Sequence, residues 1–329
     1  MRVFWLIRQE DGSTVAGQRR NLTGLAHTWH ALVDRTLVDG VRSRRGAASL
    51  TSHGTSEGQL DSTDNLRRMT PAQAEIGIFG GSGFYEFLEH AVEVDVETPY
   101  GGPSATAMVG RVEDRSIAFL PRHGPDHELP PHRINYAANA LAMKELGVSR
   151  VIGPCAAGSL KAELQPGRFA VCDQLVDRTT GRKDTLHDGP EVRHFSFADP
   201  YCRELRPLAV TAARDHGITV HDGGTVVVVP GPRFSTRAES RWFQEQGWDV
   251  INMTQYPEAY LARELGMCYV NISLITDHDV GLDETSTPVT AAEVFAVMET
   301  NNDALQGVLR TLIAAIPNER SCGCAGDLA

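Results

Sequence analysis

Arginine and histidine follow one of the most apolar runs of this sequence. Arg122 and His123 come directly after SIAFL, in the segment PRHGPDH. Ligands of α/β proteins gather at the carboxyl ends of strands, so a loop after such a run is a first candidate for a site. A guanidinium fork and an imidazole N–H are donors that can hold phosphate. The pair predicts an anion site, and a solvated surface loop is the alternative.

A glycine-rich loop follows another apolar run. The segment GGSGF comes after IGIF, and its glycines let the backbone approach an anion, to which Ser82 offers a hydroxyl and an amide. It matches neither the dinucleotide-binding pattern GxGxxG followed by an acid nor a P-loop. A tight structural turn explains this loop equally well.

Small residues surround Cys155 in the segment PCAAGSL. Their size allows main-chain amides to face a ligand. The sequence around Cys155 gives no cue for a paired base, which a nucleophilic thiol needs. We therefore expect a buried or phosphate-contacting thiol.

Two carboxylates, Asp277 and Asp279, follow a very apolar run in the segment ITDHD. A carboxyl group in an apolar pocket has a raised pKa and can donate a hydrogen bond to a leaving base. A solvent-facing loop or a helix cap is the alternative.

The histidines His127 and His132 raise the question of a metal ion. Neither their spacing nor any nearby cysteine pair forms a recognised zinc pattern. The sequence also contains no kinase motif set. We expect neither a metal ion nor an organic cofactor.

The segments around these residues alternate between two kinds from Glu75 onward. Continuous apolar runs predict buried strands: IGIFGG, SIAFLP, RVIGPCAAG, FAVCDQLV, TVVVVPGP, DVINMT and YVNISLITD. Helical segments lie between them, several closed by glycine: INYAANALAMKELG, DPYCRELRPLAVTAARDHG, STRAESRWFQEQG, PEAYLARELG and the long AAEVFAVMETNNDALQGVLRTLIAAI. This alternation predicts an α/β fold with a largely parallel or mixed sheet.

Composition narrows the class of protein. The formal charge of −11 argues against a nucleic-acid binder, and no run approaches the length of a membrane span. The six cysteines are too dispersed for a secreted disulfide framework, so we expect a cytoplasmic protein.

The first part of the chain differs from the rest. Residues 1–68 hold ten arginines and seven acidic residues, a net charge of +3, whereas the remainder carries −14. We interpret residues 1–70 as a poorly ordered extension, with Met69 as an alternative start and a regulatory or targeting arm as the other explanation. Residues 71–318 would form the main folded part of the chain, and residues 319–329 a C-terminal tail with the CxC pair.

Together, the motifs resemble the methylthioadenosine phosphorylase and trimeric purine nucleoside phosphorylase family, from about Ile76 to Pro317. The resemblance rests on the sequence segments IGIFGGSGF, TPYGGPS, RHG, NYAANALAMKELG, GSL, QPG, DQLVDRT, GPRFSTRAES, DVINMT, PEAYLARELGMCY and TDHD. It implies a single α/β domain of the nucleoside phosphorylase fold, with a mixed central sheet surrounded by helices. It also implies a homotrimer, or a dimer of trimers, with active sites near subunit interfaces.

The resemblance implies a role for each matching residue. Phosphate, the co-substrate, would be held by Ser82, Arg122, His123, Cys155, Ala156 and Thr254, although the family often has threonine in place of Cys155. The nucleoside would contact Phe234, Met253, Asp277, His278 and Asp279, with Asp277 and Asp279 as the catalytic carboxylates. Specificity would depend on Ser235 and Ala291, and a 5′-group pocket would contain His194, Val294 and Phe295.

The implied activity is phosphate-dependent cleavage of S-methyl-5′-thioadenosine, and of adenosine as well, in purine and methionine salvage. Two carboxylates favour a 6-aminopurine, because relatives that cleave 6-oxopurines commonly carry asparagine at the position of Asp277. A 6-oxopurine or methylthioinosine phosphorylase is the alternative enzyme, and a silent nucleoside-binding protein is the alternative outside enzymes. The pair Cys322 and Cys324 resembles a motif that forms a disulfide in some heat-stable relatives, but we expect two unpaired thiols.

Overall fold

The computed structural model describes residues 73–81, 87–190, 192–280 and 287–328. Before residue 73 it describes only the backbone of three strands, β1 (Arg2–Arg8), β2 (Thr14–Arg20) and β3 (His30–Ala31). Ser82 lies outside the described residues. The domain boundaries predicted from the sequence stay predictions.

Thirteen further strands follow in the described residues. They are β4 (Ile76–Gly80), β5 (Glu89–Glu97), β6 (Ala107–Val112), β7 (Arg115–Pro121), β8 (Arg150–Ile152), β9 (Cys155–Ser159), β10 (Phe169–Val171), β11 (Gln174–Asp177), β12 (Val220–Asp222), β13 (Thr225–Val228), β14 (Val250–Asn252), β15 (Cys268–Val270) and β16 (Ser273–His278). One sheet has the order β15-β8-β4-β7-β6-β5-β1-β2-β3, and the other has the order β11-β13-β14-β9-β16-β10-β12.

Both sheets are mixed, which confirms the predicted fold class. In the first sheet β15, β8, β4 and β7 pair in parallel, in that order, and β6 pairs antiparallel with β5 and β7. In the second sheet β9 pairs in parallel with β16, and β13 pairs in parallel with β11 and β14, whereas β14 pairs antiparallel with β9. Hydrogen bonds continue from one sheet into the other, from Gly153 N to Val270 O (2.9 Å) and from Cys155 N to Ile272 O (3.1 Å). The chain therefore passes directly from the first sheet into the second at β8–β9 and at β15–β16.

In the described residues, six α-helices pack around the sheets. They are α1 (Tyr136–Glu145), α2 (Leu205–Asp215), α3 (Arg237–Glu245), α4 (Gln255–Glu264), α5 (Ala291–Thr300) and α6 (Asn302–Ala315). The first four are each followed by a glycine with positive φ, which confirms the glycine stops predicted from the sequence. Thr236 and Thr290 start α3 and α5 with capping boxes to Glu239 and Glu293.

The last helical segment differs from the prediction of one long helix. It divides at Asn301, whose φ and ψ are −105° and 7°. The Asn301 side chain donates from Nδ2 to the carbonyl of Val297 at 2.8 Å. Such local bonds between an asparagine side chain and the backbone compete with helix continuation. The break at Asn301 separates α5 from α6.

Apolar side chains fill two main clusters. One contains Phe79, Leu141 and Ile275, and the other contains Phe119, Phe169 and the buried face of α6. In the described part of the chain, no helix has both the length and the apolar character that crossing a membrane requires.

Candidate active site

A cavity of about 980 Å³ opens where the ends of several strands meet. The loops after β7, β8, β14 and β16 reach it, together with the loop before α3 and the helix α5. Most of the residues predicted for the site line it: Arg122, His123, Cys155, Ala156, Phe234, Ser235, Met253, Thr254, Asp277, Asp279, Ala291, Val294 and Phe295. The structure thus brings together in one space residues that are far apart in the sequence.

Two predicted residues lie elsewhere. His278 ends β16 but does not line the cavity, and its Nδ1 is buried without a hydrogen-bond partner among the described residues. His194 is exposed in a loop outside this chain's cavity. Their roles stay predictions, as does the role of Ser82.

The Arg122 guanidinium is buried in an ion pair that the sequence did not predict. Nε and Nη2 donate to the two carboxylate oxygens of Glu258 at 2.8 and 2.9 Å, and Nη1 donates to the Pro154 carbonyl at 2.8 Å. Tyr269 also donates to Glu258, at 2.7 Å. The fork that we expected to grip phosphate is therefore occupied by Glu258. One N–H on each terminal nitrogen is left for a ligand.

Glu258 keeps this cation charged. Both side chains are only 4% exposed. Burial alone would lower the pKa of Arg122, but the charge of Glu258 and its hydrogen bonds offset burial and raise that pKa instead. Arg122 thus presents a permanent positive charge at the cavity wall.

His123 is held as a neutral imidazole beside Arg122. Its Nδ1 lies 2.8 Å from the Leu129 carbonyl, which can only accept, so Nδ1 carries the proton. Burial and the Arg122 charge lower the pKa of His123 to about 4. The free Nε2 of the neutral ring accepts a hydrogen bond, for example from a phosphate O–H, and donates one only after protonation.

An aromatic row extends from His123 across the cavity wall. His127 stacks on His123 with the ring centroids 4.4 Å apart, and Phe295 meets His127 edge-on at 5.2 Å. His127 lines the cavity, although the sequence analysis considered it only as a metal ligand. The row links the cationic end of the cavity to the apolar face of α5.

Cys155 accepts hydrogen bonds from amides. Its sulfur lies 3.1 Å from Nδ2 of Asn252 and 3.3 Å from Nδ2 of Asn271, and 3.6 Å from the Ser273 hydroxyl. None of these partners is a base. The thiol is part of a buried polar network that positions the cavity wall, and this surrounding does not activate a nucleophile.

A β-bulge sets the direction of the Asp277 side chain. Ile275 pairs with Ala157 on β9, but the register then shifts, so that Asp277 pairs with Gly158. A regular strand has a period of two and would place Asp277 on the same face as Ile275, which packs in the core. The extra residue Thr276 turns the carboxylate into the cavity instead.

The two carboxylates sit in a desolvated corner. Burial raises the pKa of Asp277 to about 6, although the Thr276 hydroxyl donates to it at 2.8 Å. Burial also raises the pKa of Asp279, whose Oδ2 has no partner among the described residues. The Ser235 hydroxyl interacts with Asp279 and opposes this rise, and its buried oxygen makes no other hydrogen bond among the described residues. Polar atoms buried in this way are available to a ligand.

Arg182 positions two cavity loops without lining the cavity. Its Nη2 donates to the carbonyls of Pro230 and Met253 at 2.8 Å each, and its Nη1 donates to Tyr256. Its guanidinium also lies over the Tyr136 ring at 5.1 Å. The sequence does not predict this role of Arg182, because no local pattern shows which carbonyls its guanidinium binds.

The fold and the cavity define an α/β protein whose site combines a buried cation, buried carboxylates and an apolar wall. The profile of the phosphorylase superfamily matches residues 75–314. The chain belongs to this superfamily, and this confirms the resemblance inferred from its motifs.

Two relatives illustrate how close the similarity is. S-methyl-5′-thioadenosine phosphorylase of Thermofilum pendens is 50% identical over 258 residues, covering 78% of this chain and 97% of the relative. Purine nucleoside phosphorylase of Streptomyces coelicolor is 51% identical over 266 residues, covering 78% and 95%. Their names thus include both kinds of phosphorylase.

Two solved structures of phosphorylases are also similar to this chain. A methylthioadenosine phosphorylase sourced from an antarctic soil metagenomic library aligns with a TM-score of 0.74 and 37% identity, over 78% of this chain and 92% of that one. A variant of adenosine/methylthioadenosine phosphorylase from Schistosoma mansoni, in complex with methylthioadenosine, aligns with a TM-score of 0.70 and 34% identity, over 75% and 93%.

Removing Glu258 should strongly destabilise the protein. Glu258→Ala leaves the Arg122 charge buried and unpaired, so we expect the free energy of unfolding to fall by about 3–5 kcal/mol, measured by urea denaturation. The control is Asp199→Ala, which breaks an exposed ion pair with Arg203 and should change stability by less than about 1 kcal/mol. Similar losses in both variants would contradict the role given to Glu258.

Proposed function

We propose that this enzyme, a pentosyltransferase, uses inorganic phosphate to cleave S-methyl-5′-thioadenosine into adenine and 5-methylthioribose 1-phosphate. One observation carries the proposal: a single cavity holds anion-binding donors at one end and a buried carboxylate pair at the other. A phosphate ion and a purine base need these opposite environments. Adenosine is a further substrate of the same type.

The phosphate end would combine charge with neutral donors. Arg122 supplies two N–H groups and a fixed charge, and neutral His123 accepts a hydrogen bond from a protonated phosphate oxygen. The remaining contacts would come from Ser82, Cys155, Ala156 and Thr254, with only the backbone contact assigned to Cys155. Inorganic phosphate would be the co-substrate, and this reaction would need neither a metal ion nor an organic cofactor.

The other end of the cavity would form hydrogen bonds with the 6-amino group and N7 of the purine. Protonated Asp277 can donate to N7 of the leaving base, while the unpartnered Oδ2 of Asp279 can accept from a 6-amino group. Phe234 would lie beside the ring and Ser235 near its edge, with His278 between the two carboxylates in sequence. These assignments follow from the cavity positions and the motif match together.

The sugar would lie between the two ends. Met253 lines the cavity next to Thr254, and a thioether packs adaptably against a ribose face. Ala291, Val294 and Phe295 on α5 would face the 5′ group. Their apolar side chains favour a methylthio group over a hydroxyl, because an unpaired hydroxyl is costly to bury.

We also propose a homotrimer with active sites near its interfaces. Phe295 is 51% exposed although it lines the cavity, and His194 is exposed outside the cavity of its own chain. In such a trimer His194 would approach the 5′ group in the cavity of a neighbouring subunit. The cytoplasmic location stays a prediction from the dispersed cysteines.

The reaction would begin with loosening of the bond between C1′ and the purine N9. Positive charge then develops on the sugar while Asp277 donates to N7 of the departing base. Phosphate on the opposite face forms the new C1′–O bond, with no covalent enzyme intermediate. Positioning of phosphate and base in one cavity supplies much of the rate enhancement.

A 6-oxopurine phosphorylase is the second candidate, and the 51% identical relative named purine nucleoside phosphorylase favours it. The same phosphate site would serve both reactions. The difference lies in the corner of Asp277, Asp279 and Ser235, where two carboxylates suit an amino donor better than a carbonyl.

Purine release distinguishes the two candidates. We expect purified protein to release adenine from methylthioadenosine only when inorganic phosphate is present, with inosine cleaved much more slowly. Release of hypoxanthine from inosine, but no adenine from methylthioadenosine, would establish the second candidate. Nucleoside binding by calorimetry without any turnover would leave only a binding protein.

Substitution of Asp277 tests the specificity corner. Asp277→Asn should reduce kcat/KM for methylthioadenosine much more than for inosine, by about 100-fold or more, because an amide can present its N–H to a 6-oxo group. Asp215→Asn changes an exposed carboxylate at the end of α2 and serves as the matched control. Equal losses on the two substrates would show that Asp277 acts generally or structurally.

The pH dependence should reveal the Asp277 proton. Since the pKa of Asp277 is about 6 and its protonated form donates, we expect kcat/KM for methylthioadenosine to fall as the pH rises through 6. The residual activity of Asp277→Asn should lack this decline, because an amide does not titrate. Phosphate ionises identically in both assays, so the difference between the profiles isolates Asp277. Parallel profiles would contradict this role.

A further inference from the structure

Four cysteine thiols meet far from the cavity. The sulfur atoms of Cys202, Cys268, Cys322 and Cys324 all lie within 4.8 Å of one another. They come from three distant segments: the loop before α2, the first residue of β15, and the chain after α6. None of the four lines the active-site cavity. The proposed phosphorolysis uses none of them.

This four-cysteine cluster is largely inaccessible to water. Cys202 and Cys268 are 1% and 0% exposed, Cys324 is 6% exposed, and Cys322 is partly exposed. Cys202, Cys268 and Cys324 belong to the second apolar core, and Cys322 packs against it. Apolar packing explains why one thiol is buried, but it does not explain why four sulfur atoms converge.

The spacing suits a tetrahedral ion. Zinc–sulfur bonds of about 2.3 Å place the four sulfur atoms of a tetrahedral site about 3.8 Å apart. Cys268 and Cys322 are 3.3 Å apart, and all the other separations are below 4.8 Å. A disulfide would require about 2.05 Å. All six cysteines of the chain are free thiols in the structure.

The protein around the cluster also fixes the positions of the sulfurs. Backbone N–H groups of Glu204 and Leu205 form hydrogen bonds with Cys202, as is common around thiolate ligands. Arg320, two residues before Cys322, donates at 2.8 Å to the carbonyl of Gly266, two residues before Cys268. This arrangement brings a positive charge to the segment that carries two of the thiols.

Further contacts anchor the chain after α6. Arg150 donates to the carbonyls of Pro317 (2.6 Å) and Asn318 (3.1 Å), and the Ser321 hydroxyl donates to Glu204 at 3.0 Å. These contacts hold the segment in place up to the first of its two cysteines. The ligand set is therefore positioned by groups other than the sulfur atoms.

We propose that Cys202, Cys268, Cys322 and Cys324 form a closed, structural site in which four thiolates bind one zinc ion. Binding converts four thiols to thiolates and releases four protons, and the resulting centre carries a net charge of −2. The zinc joins the C-terminal segment to the start of α2 and to β15. The site supplies stability and leaves the chemistry of the cavity unchanged. This proposal does not depend on the proposed substrate.

The sequence alone predicts no metal ion and two unpaired tail thiols. Neighbouring cysteines form no zinc pattern, since C-x-C alone is not one. The other two ligands are 54 residues or more away from the tail pair. Only the tertiary fold places them together.

Metal content of the full-length protein tests the proposal. Protein produced with zinc in the medium and purified anaerobically without chelators should contain about one zinc per chain by mass spectrometry of the metal. The double variant Cys322→Ser with Cys324→Ser should contain less than about a tenth of that amount. Cys172→Ala removes a buried cysteine outside the cluster and should keep the full amount.

Stability and phosphorolysis separate this site from the cavity. Removal of zinc by a chelator should lower the Tm of the wild-type protein by about 10 °C, but should not change the Tm of the double variant. The double variant should retain its rate of phosphorolysis at 25 °C, which also shows that it folds. An unchanged wild-type Tm would contradict a structural role.

Cobalt gives a direct view of the ligands. Protein loaded with Co²⁺ in place of zinc should show sulfur-to-cobalt charge-transfer bands and the strong visible bands of tetrahedral coordination.

Thiol counting by alkylation under denaturing conditions distinguishes the proposed zinc site from disulfides and from free thiols without metal. Metal-free protein with two or four thiols lost to disulfides would overturn the proposal, and so would metal-free protein with all six thiols reactive.

Discussion

The buried ion pair between Arg122 and Glu258 is the constraint on which the active site depends. A phosphate site in a chain of net charge −11 needs a local cation, and Arg122 must stay charged at 3% exposure. The guanidinium stays charged because it donates to the Glu258 carboxylate and to the Pro154 carbonyl. Tyr269 in turn donates a hydrogen bond to Glu258. The end of β7, the passage from β8 to β9, the helix α4 and β15 must therefore meet at this point. A side chain at Gly153 would collide with both Glu258 and Tyr269, so the chain also needs glycine there.

The other end of the cavity uses the opposite electrostatics. Arg122 is stabilised as a charge by an ionised partner, whereas Asp277 is pushed toward its neutral form by burial and by the nearby Asp279. One fold achieves both because the two groups stand on different strands of adjoining sheets. The bulge at Thr276 is the local device, since it turns a carboxylate away from the core that holds Ile275. Gly158 opposite leaves room for it, because an added Cβ would lie 2.9 Å from Oδ1 of Asp277.

The sequence was informative wherever a local pattern decides the structure. Continuous apolar runs such as those of β4 and β7 predicted strands, and glycines after helices predicted where α1 to α4 stop. The sequence was uninformative where partners meet across the fold. Glu258 lies 136 residues from Arg122, and nothing near either residue indicates the pairing. The strand β5 was not predicted either, because its mostly exposed residues lack a continuous apolar run. The bulge and the helix break at Asn301 depend on hydrogen bonds to groups that a linear pattern does not identify.

In the function proposed above, the buried polar atoms of the cavity would give the site its selectivity. Oδ2 of Asp279 is buried without a hydrogen-bond partner among the described residues, and an unmet buried polar group costs about 1–3 kcal/mol. A 6-aminopurine can donate to this acceptor, so its binding recovers that cost. A 6-oxopurine presents an acceptor to an acceptor, so Asp279 must either stay unpaired or bind a proton. A site with a buried, unpaired acceptor therefore discriminates against a 6-oxopurine more strongly than a site that selects by shape alone.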